Sequence, residues 1–434
     1  MGWVIALAVL LVVAVVIWLV KPKDRGGGYD PYFAQLNQAL KAARIGTARI
    51  LIDRDRLDHN LAVILDHIPR PSAYRIVVKS IPSVELLRYI RTRVGTDKFM
   101  VVHRPFLKVI LDAFEPGIDI LLGKPIPLFG LQEFYREIPA DLYERAGKEI
   151  QWLVDTRERL AEYQGFAHEQ NLKLRVNLEI DIGLHRGGVA SLPELDSLLA
   201  VIQADPEHLA FSGFMGYEGH VPHAPAILTS ARSAALKEFA DNLAAYRAFV
   251  EHVRQKYPSL YTPELTFNSG GSGTYSLFGD YPFITDIGIG GAVLRPATYP
   301  DHFLYDLQPA EFIAAPVLKK RPGTCIPFIE GLGGLLAWWD PNNQVTFEIY
   351  GGGWAAKLVA PQGVQIQALT ADPPNQNLVP NQTTFNGSRR LQLEIGDFVI
   401  HHPYQSDAMF QFEDILLIQA GQVAGCWPVF ARRY

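Results

Sequence analysis

The chain has 434 residues, 48% of them apolar and 20% charged, with a formal net charge of −5. That length supports a large buried core and two soluble domains, while the mild acidity lacks the clustered Lys and Arg that a nucleic-acid partner requires. The two cysteines, Cys325 and Cys426, are far apart, which argues against a disulfide framework or a cysteine zinc site and fits a reducing compartment.

The chain opens on an unbroken apolar run, Trp3 to Val20. At about 1.5 Å per residue its helix would be about 27 Å long, enough to cross a bilayer core. A cleaved signal peptide would carry a basic start and a small-residue cleavage site, and neither is present. Trp3 and Trp18 sit near the ends, where interfacial aromatics are favoured. No Lys or Arg precedes the run, whereas Lys21, Lys23 and Arg25 follow it. The expectation is therefore a single-pass anchor, residues 1–20, in an inner or plasma membrane, with the bulk of the chain in the cytoplasm. Residues 21–44, opening on KPKDRGGGYDP, read as a flexible linker. The sequons at Asn381 and Asn386 would matter only in the opposite orientation.

Residues 45–309 alternate short β-branched runs with longer amphipathic segments. ARILIDRD, YRIVVKS, KFMVVH, IDILLG, IQWLVD, LRVNLEIDI, FSGFMGYEG and LTFNSGG read as strands. LDHNLAVILDHI, LPELDSLLAVIQA and the long ARSAALKEFADNLAAYRAFVEHVRQKY read as helices between them. Such βα units imply a parallel sheet, and this number of units matches a (β/α)8 TIM barrel. Residues 310–434 lose helical periodicity, and Gly, Pro and Asn interrupt short β runs. The expectation there is a C-terminal all-β domain in which DPPNQNLVPNQTTFNGSRR is a polar excursion.

Four segments carry candidate chemistry. Lys79 follows the apolar Ile76, Val77 and Val78, and a lysine ending a barrel strand is placed for nucleophilic or Schiff-base work. EIDIGLHRGGV ends a strand in two carboxylates and turns through glycines around His185 and Arg186. GYEGH, Gly216 to His220, is a second polar strand end. FNSGGSGTYSLF follows a late strand, and its glycine N–H groups with Ser and Thr hydroxyls suit a phosphate. It is neither a Walker loop nor a dinucleotide fingerprint.

In this order the segments resemble the alanine-racemase-like (fold type III) family of pyridoxal-phosphate (PLP) enzymes, within it the D-threonine aldolase and D-serine dehydratase branch. The resemblance runs through L-x-x-N at Leu57 to Asn60, R-x-x-x-K-S/T at Arg75 to Ser80, and D-x-G-x-x-R at Asp181 to Arg186. It continues through Tyr217 to His220, GG-x-GT at Gly270 to Thr274, and Trp427-Pro428. It implies pyridoxal 5′-phosphate on Lys79, with Arg186 near the ring oxygen or a substrate carboxylate. Tyr217 and His220 would lie beside the ring, and Ser269, Gly271, Ser272, Gly273 and Thr274 on the phosphate loop. Tyr299 would be a cofactor-facing tyrosine. The fold usually works as a homodimer.

Two departures bear on the reaction. The branch carries R-P-H-x-K-T-H-K around its lysine, whereas RIVVKSIP stands here, with Val77 and Ile81 at the histidine positions. Its divalent metal (Mn or Zn) is held through P-N-H-x-C/D; here Gln405 replaces the histidine and Asp407 remains, with His401 and His402 just upstream as a register-shifted substitute. The expected activity is a PLP-dependent lyase on small D-amino acids, of the D-threonine aldolase or D-serine dehydratase type, with Lys79, His220 and Arg186 catalytic. An amino-acid racemase and a non-catalytic PLP-binding protein are the alternatives.

Overall fold

The alternation of β-branched runs with amphipathic segments is realised as a closed barrel, seen in a computed structural model that describes Trp3 and residues 19–227, 229–298, 301–304, 306–325, 328–367 and 381–430. The first strand, β1 (Arg49–Asp53), stands outside the barrel. Eight parallel strands close it: β2 (Ala73–Val77), β3 (Lys98–Val101), β4 (Asp119–Leu122), β5 (Ile150–Val154), β6 (Leu174–Glu179), β7 (Leu209–Met215), β8 (Thr266–Ser269) and β9 (Asp286–Ile289). The intervening helices start where polar side chains satisfy the free N–H groups of the first turn. Ser83 caps Val84–Val94, Thr156 caps Arg157–Gln170 and Ser191 caps Leu192–Ala204.

The expected eight barrel strands therefore stand, with one exchange. ARILIDRD was read as a barrel strand, yet β1 pairs antiparallel with β10 (Glu311–Pro322) and parallel with β16 (Asp414–Gln419). Its place in the barrel is taken by β9, whose DIGI sequence lacks the bulk of an ordinary strand signal. A Cβ at Gly288 would make only ordinary contacts, with the Met100 and Val77 side chains and the Gly270 carbonyl at 3.6–3.7 Å.

A polar network fills the barrel beneath its mouth. Arg75 on β2 is fully buried. Its Nε donates to Asp286 Oδ1 at 2.7 Å, its Nη2 to Asp119 Oδ2 at 2.6 Å, and its Nη1 to the Phe99 carbonyl at 3.0 Å. Gln151 joins Asp119 to Thr266 at 2.8 Å each, and Asn268 donates to Asp286 at 2.7 Å. Burial is the largest influence and works against the charges of Asp119 and Asp286. Arg75 together with Lys98, and with Arg175 and Gln151 at Asp119 and Asn268 at Asp286, outweighs it and holds both carboxyls below their usual range. Asn60, in helix Arg54–His67, donates to the Val293 and Gln308 carbonyls, so the L-x-x-N motif is a structural clamp.

Two compact units divide the chain: Arg54–Ala310, Gln405–Asp414 and Trp427–Tyr434 form the barrel unit, and Met1–Asp53, Glu311–Tyr404 and Ile415–Cys426 the other. The second is built on a nine-stranded sheet of β1, β10, β11 (Val345–Ile349), β12 (Ala356–Ala360), β13 (Gln365–Ile366), β14 (Thr384–Gly387), β15 (Phe398–Pro403), β16 and β17 (Gln422–Pro428). Leu51, Phe312, Phe398, Ile400, Leu416 and Ile418 form its core. Strand β14 arises inside the segment read as a polar excursion, much of which lies outside the described residues.

Residues 21–44, expected as a flexible linker, are structured. Asp30 accepts the Phe33 N–H and Pro31 opens helix Pro31–Ala42, which buries Phe33, Leu36 and Leu40 against the sheet. Gly26 to Gly28 lie against Gln362 and Gly363 so closely that a Cβ on Gly27 or Gly363 would strike backbone. These glycines serve close packing, the opposite of a hinge. Of the apolar run, only Trp3, Leu19 and Val20 are described, so the expected anchor lies outside the described residues. No described helix is long and apolar enough to cross a membrane.

Candidate active site

The C-terminal ends of the barrel strands form the mouth where such barrels hold their chemistry. After β6, Asp181 builds a turn: its Oδ1 accepts the Gly183 and His185 N–H groups at 3.0 and 3.1 Å, and its Oδ2 meets His185 Nδ1 at 2.7 Å. Against the cost of burial, these bonds hold the Asp181 carboxyl below its usual range. Gly188 has φ +95°, and a Cβ there would lie 2.8 Å from the Asp181 nitrogen, so the turn requires glycine. This D-x-G-x-x-R turn presents Arg186, whose guanidinium stands 5.3 Å over the Tyr217 ring.

Tyr217 follows β7 and lies across the glycine-rich loop that follows β8. A Cβ on Gly271 would come within 2.8 Å of the Tyr217 ring, so glycine there gives the aromatic room. Between them sits Glu218, fully buried, which the sequence reading passed over. Its carboxylate accepts from Ser269 Oγ at 2.6 Å, Thr274 Oγ1 at 2.5 Å and the Gly270 N–H at 3.2 Å. Burial pushes its pKa up, and these three donors pull the other way. The Thr274 hydroxyl, expected on a phosphate, thus donates to Glu218, and the Ser269 hydroxyl has both Glu218 and the Gly216 carbonyl, 2.9 Å away, as acceptors. Ser272 Oγ accepts from the Ala292 N–H at 2.9 Å, leaving its own proton to donate. The Ser272 and Gly273 N–H groups find no backbone acceptor among the described residues.

Lys79 lies in the turn Val78–Ser80, two residues beyond the end of β2. Neighbouring Ser80 packs against the turn after β9, with its Oγ 2.9 Å from where a Cβ on Gly290 would be. Ala292 in that turn is the donor to Ser272. The turns after β2, β9, β8, β7 and β6 therefore succeed one another around the mouth. They place Lys79, Ser272, Gly273, Gly271, Tyr217 and Arg186 on loops of the same mouth.

His103, after β3, is a further group that the sequence reading missed. Partial desolvation and the Lys124 ammonium lower its pKa, Asp407 opposes this, and Lys79 adds to the lowering. His220 directs Nε2 to Glu238 at 3.1 Å on helix Ala231–Lys256, and its Nδ1 has no partner among the described residues. Glu179, at the end of β6, is pushed up to about 7, by burial first and then by Asp155, with Arg186 opposing and Asp181 adding.

Tyr299 lies outside the described residues. The residues expected to hold a metal are not gathered. Gln405 Nε2 donates to Thr298 Oγ1 at 3.1 Å, and Asp407 stands exposed in the barrel unit near His103. His401 and His402 lie on β15 in the sheet unit, both buried, His401 beside Trp354 and His402 beside Phe312. Burial brings the His401 pKa down to about 4, so the ring is neutral near pH 7. Among the described residues, one set of three possible ligands converges: His168, Asp205 and His208. They occupy the segments leading into β6 and β7, at the opposite end of the barrel from Lys79.

Solved structures with this arrangement share little sequence with the chain. D-threo-3-hydroxyaspartate dehydratase from Delftia sp. HT23 superposes with a TM-score of 0.61 at 16% identity, over 90% of this chain and 98% of that one. D-threonine aldolase from Filomicrobium marinum gives 0.61 at 15%, over 88% and 96%. Alanine racemase from Bacillus anthracis gives 0.63 at 13%, over 88% and 97%. At such identities the likeness shows the fold. A search of curated proteins gives no match. Residues 52–279, more than half of the sequence and the span from β1 to the glycine-rich loop, match the family described as alanine racemase, N-terminal domain, and the chain belongs to that family.

Proposed function

We propose that the chain is a pyridoxal 5′-phosphate-dependent lyase acting on small D-amino acids, with D-β-hydroxy amino acids as the first candidates. The observation that carries this reading is the succession of turns joining Lys79 to Ser272, Tyr217 and Arg186 around one barrel mouth. The residues fit the cofactor. The Ser272 and Gly273 N–H groups and the Ser272 hydroxyl remain to hold a phosphate. Ser269, Thr274 and Gly270 shape the loop through Glu218 and need not touch it. Lys79 would carry the cofactor, with Tyr217 beside its ring. When bound, the cofactor supplies an electron sink for charge developing at the substrate Cα.

The chain's own groups do the rest. The Lys79 amine moves a proton at Cα from its side of the substrate. Arg186 offers a planar fork to a carboxylate, its position fixed by the Asp181 turn and the Tyr217 face. Glu179 holds a proton to about pH 7 beside Arg186, and His220, anchored on Glu238, is a second proton-transfer group. The donor set at Gln405 and Asp407 does not make a metal site, so no step is assigned to a metal. That favours racemisation as a second reading, since no β-hydroxyl then has to be activated.

The same reading tethers the enzyme by Trp3–Val20 as a single-pass anchor, with both units on the cytoplasmic side. The test is full-length chain in detergent, supplied with pyridoxal 5′-phosphate and then with D-serine, D-threonine or D-alanine. A yellow protein that borohydride fixes at Lys79, and that one of these substrates perturbs with turnover, supports the reading. The product identifies the reaction: a keto acid for dehydration, an aldehyde for retro-aldol cleavage, the L-isomer for racemisation. A coloured protein that turns over none of them leaves only the binding-protein alternative.

A further inference from the structure

The sheet unit carries an apolar face that its own core does not use. Phe328 is 98% exposed, Leu332 47%, Leu335 59% and Trp338 58%, with Ile329 at 45%. Leu332, Leu335 and Trp338 recur every three residues through the turn Glu330–Leu332 and helix Gly333–Trp339, so they share one side. In that helix only Gly333 is buried. Large apolar side chains gathered this way mark a contact surface, whereas single exposed ones do not.

The neighbouring N-terminal segment indicates what covers it. The apolar run ends at Val20, and Leu19 and Val20 are exposed. One residue later the Lys21 ammonium stands 5.0 Å over the Trp338 ring. The next residues are fixed to the segment that follows the helix. Asn342 donates to the Lys23 carbonyl and accepts the Arg25 N–H, both at 2.9 Å, and is itself buried. Gly27 and Gly28 are held by Gln392 and Gln362 through backbone bonds of 3.1 and 2.9 Å. The point where the run leaves any bilayer is therefore clamped beside the exposed face. Lys21, Lys23 and Arg25 surround it with charge that suits anionic headgroups, and Trp338 is the residue type favoured at the interface.

We propose that Phe328, Leu332, Leu335 and Trp338 dock into the interfacial layer of the bilayer that takes residues 3–20. The sheet unit then has two attachments, a spanning run and a surface helix. The contact rests on the anchor proposed above, and it removes the freedom that a loose tether would leave.

The test uses the full chain with Cys325→Ser and Cys426→Ser, reconstituted into vesicles of phosphatidylcholine and phosphatidylserine. A nitroxide is placed through Phe328→Cys or Leu335→Cys, and through Lys148→Cys on a barrel helix as control. Collision with oxygen, which concentrates in lipid, is compared with collision with a water-soluble nickel chelate. The expected result is oxygen dominant at 328 and 335 and nickel dominant at 148. Nickel dominance at all three in protein that floats with the vesicles overturns the docking and leaves the anchor standing. Protein that does not float overturns both. Labels shielded from both reagents and broadened by a second label show another copy of the chain on this face, which also overturns the proposal.

Discussion

Within one barrel, charged and polar groups do opposite work at different depths. Lower down, Arg75, Asp119, Gln151, Asn268 and Asp286 are hydrogen-bonded to one another and to neighbouring barrel groups. At the mouth, Lys79, Arg186, Glu179 and His103 are half-buried or exposed, and the His220 Nδ1 is unsatisfied among the described residues. A satisfied network costs little to keep and much to break, whereas groups short of partners are free to meet a ligand and to shift their proton affinity. Residue type alone therefore does not mark a functional group. Arg75 and Arg186 belong to two motifs of one family pattern, yet one holds the barrel together and the other faces solvent.

Lys79→Ala separates the mouth from the interior most clearly. Turnover of the accepted D-amino acid should fall by about 10³-fold or more, with loss of the visible absorbance. The melting temperature of the cofactor-free chain should barely move, because surface-type changes cost within about 0.5 kcal/mol. Unfolding of this variant, or persistent turnover, would remove the distinction between mouth and interior.

Arg75→Met probes the other side. It leaves Asp119 and Asp286 without their guanidinium, and breaking a buried pair from one partner costs about 3–5 kcal/mol. Thermal unfolding of the detergent-solubilised chain should show that loss, with activity per folded molecule little changed. A stable Arg75→Met chain with a damaged active site would place Arg75 among the mouth residues after all.

Glu218 is an interior-type carboxylate set into the mouth, so it tests whether the two roles can coincide. Glu218→Ala strands the Thr274 hydroxyl and the Gly270 N–H, while Ser269 Oγ keeps the Gly216 carbonyl as an acceptor at 2.9 Å. Each such buried orphan costs about 1–3 kcal/mol, and cofactor affinity should fall together with stability. Glu218→Gln keeps an acceptor oxygen and should recover much of both. Equal loss in the two variants, read by cofactor titration and melting, would mean that the charge matters more than the accepted bonds.

Much of this architecture was legible in the chain because each motif is also a local folding instruction. Asp181 and its glycines had to form a turn, and the lysine after an apolar strand had to reach a barrel mouth. The missing parts share a physical reason. Strand β9 is short and glycine-interrupted, and its place is fixed by the ladders it forms with β2 and β8, which its own sequence does not display. Helix Pro31–Ala42 carried its own signal, Asp30-Pro31 followed by Phe33, Leu36 and Leu40, but glycines at 26–28 drew the segment toward a linker reading. Glu218 was hidden between Tyr217 and His220, because only the fold shows that its carboxylate turns inward.

The effect most specific to the mouth is the pH response of Glu179. Its pKa is about 7 in the folded chain, against about 4.3 for an unfolded Glu. The folded state thus binds the proton more tightly, and stability from this group falls as pH rises between those two values and then levels off. Glu179→Gln should leave stability unchanged at low pH and raise it above neutrality. If this proton also serves the reaction, the kcat/KM profile of the parent chain has a limb near pH 7 that Glu179→Gln abolishes. Removal of the limb with the stability change intact makes Glu179 a working group of the mouth. A surviving limb assigns the neutral ionisation elsewhere, and His103, lowered from the usual histidine range by partial desolvation and Lys124, is then the next group to replace.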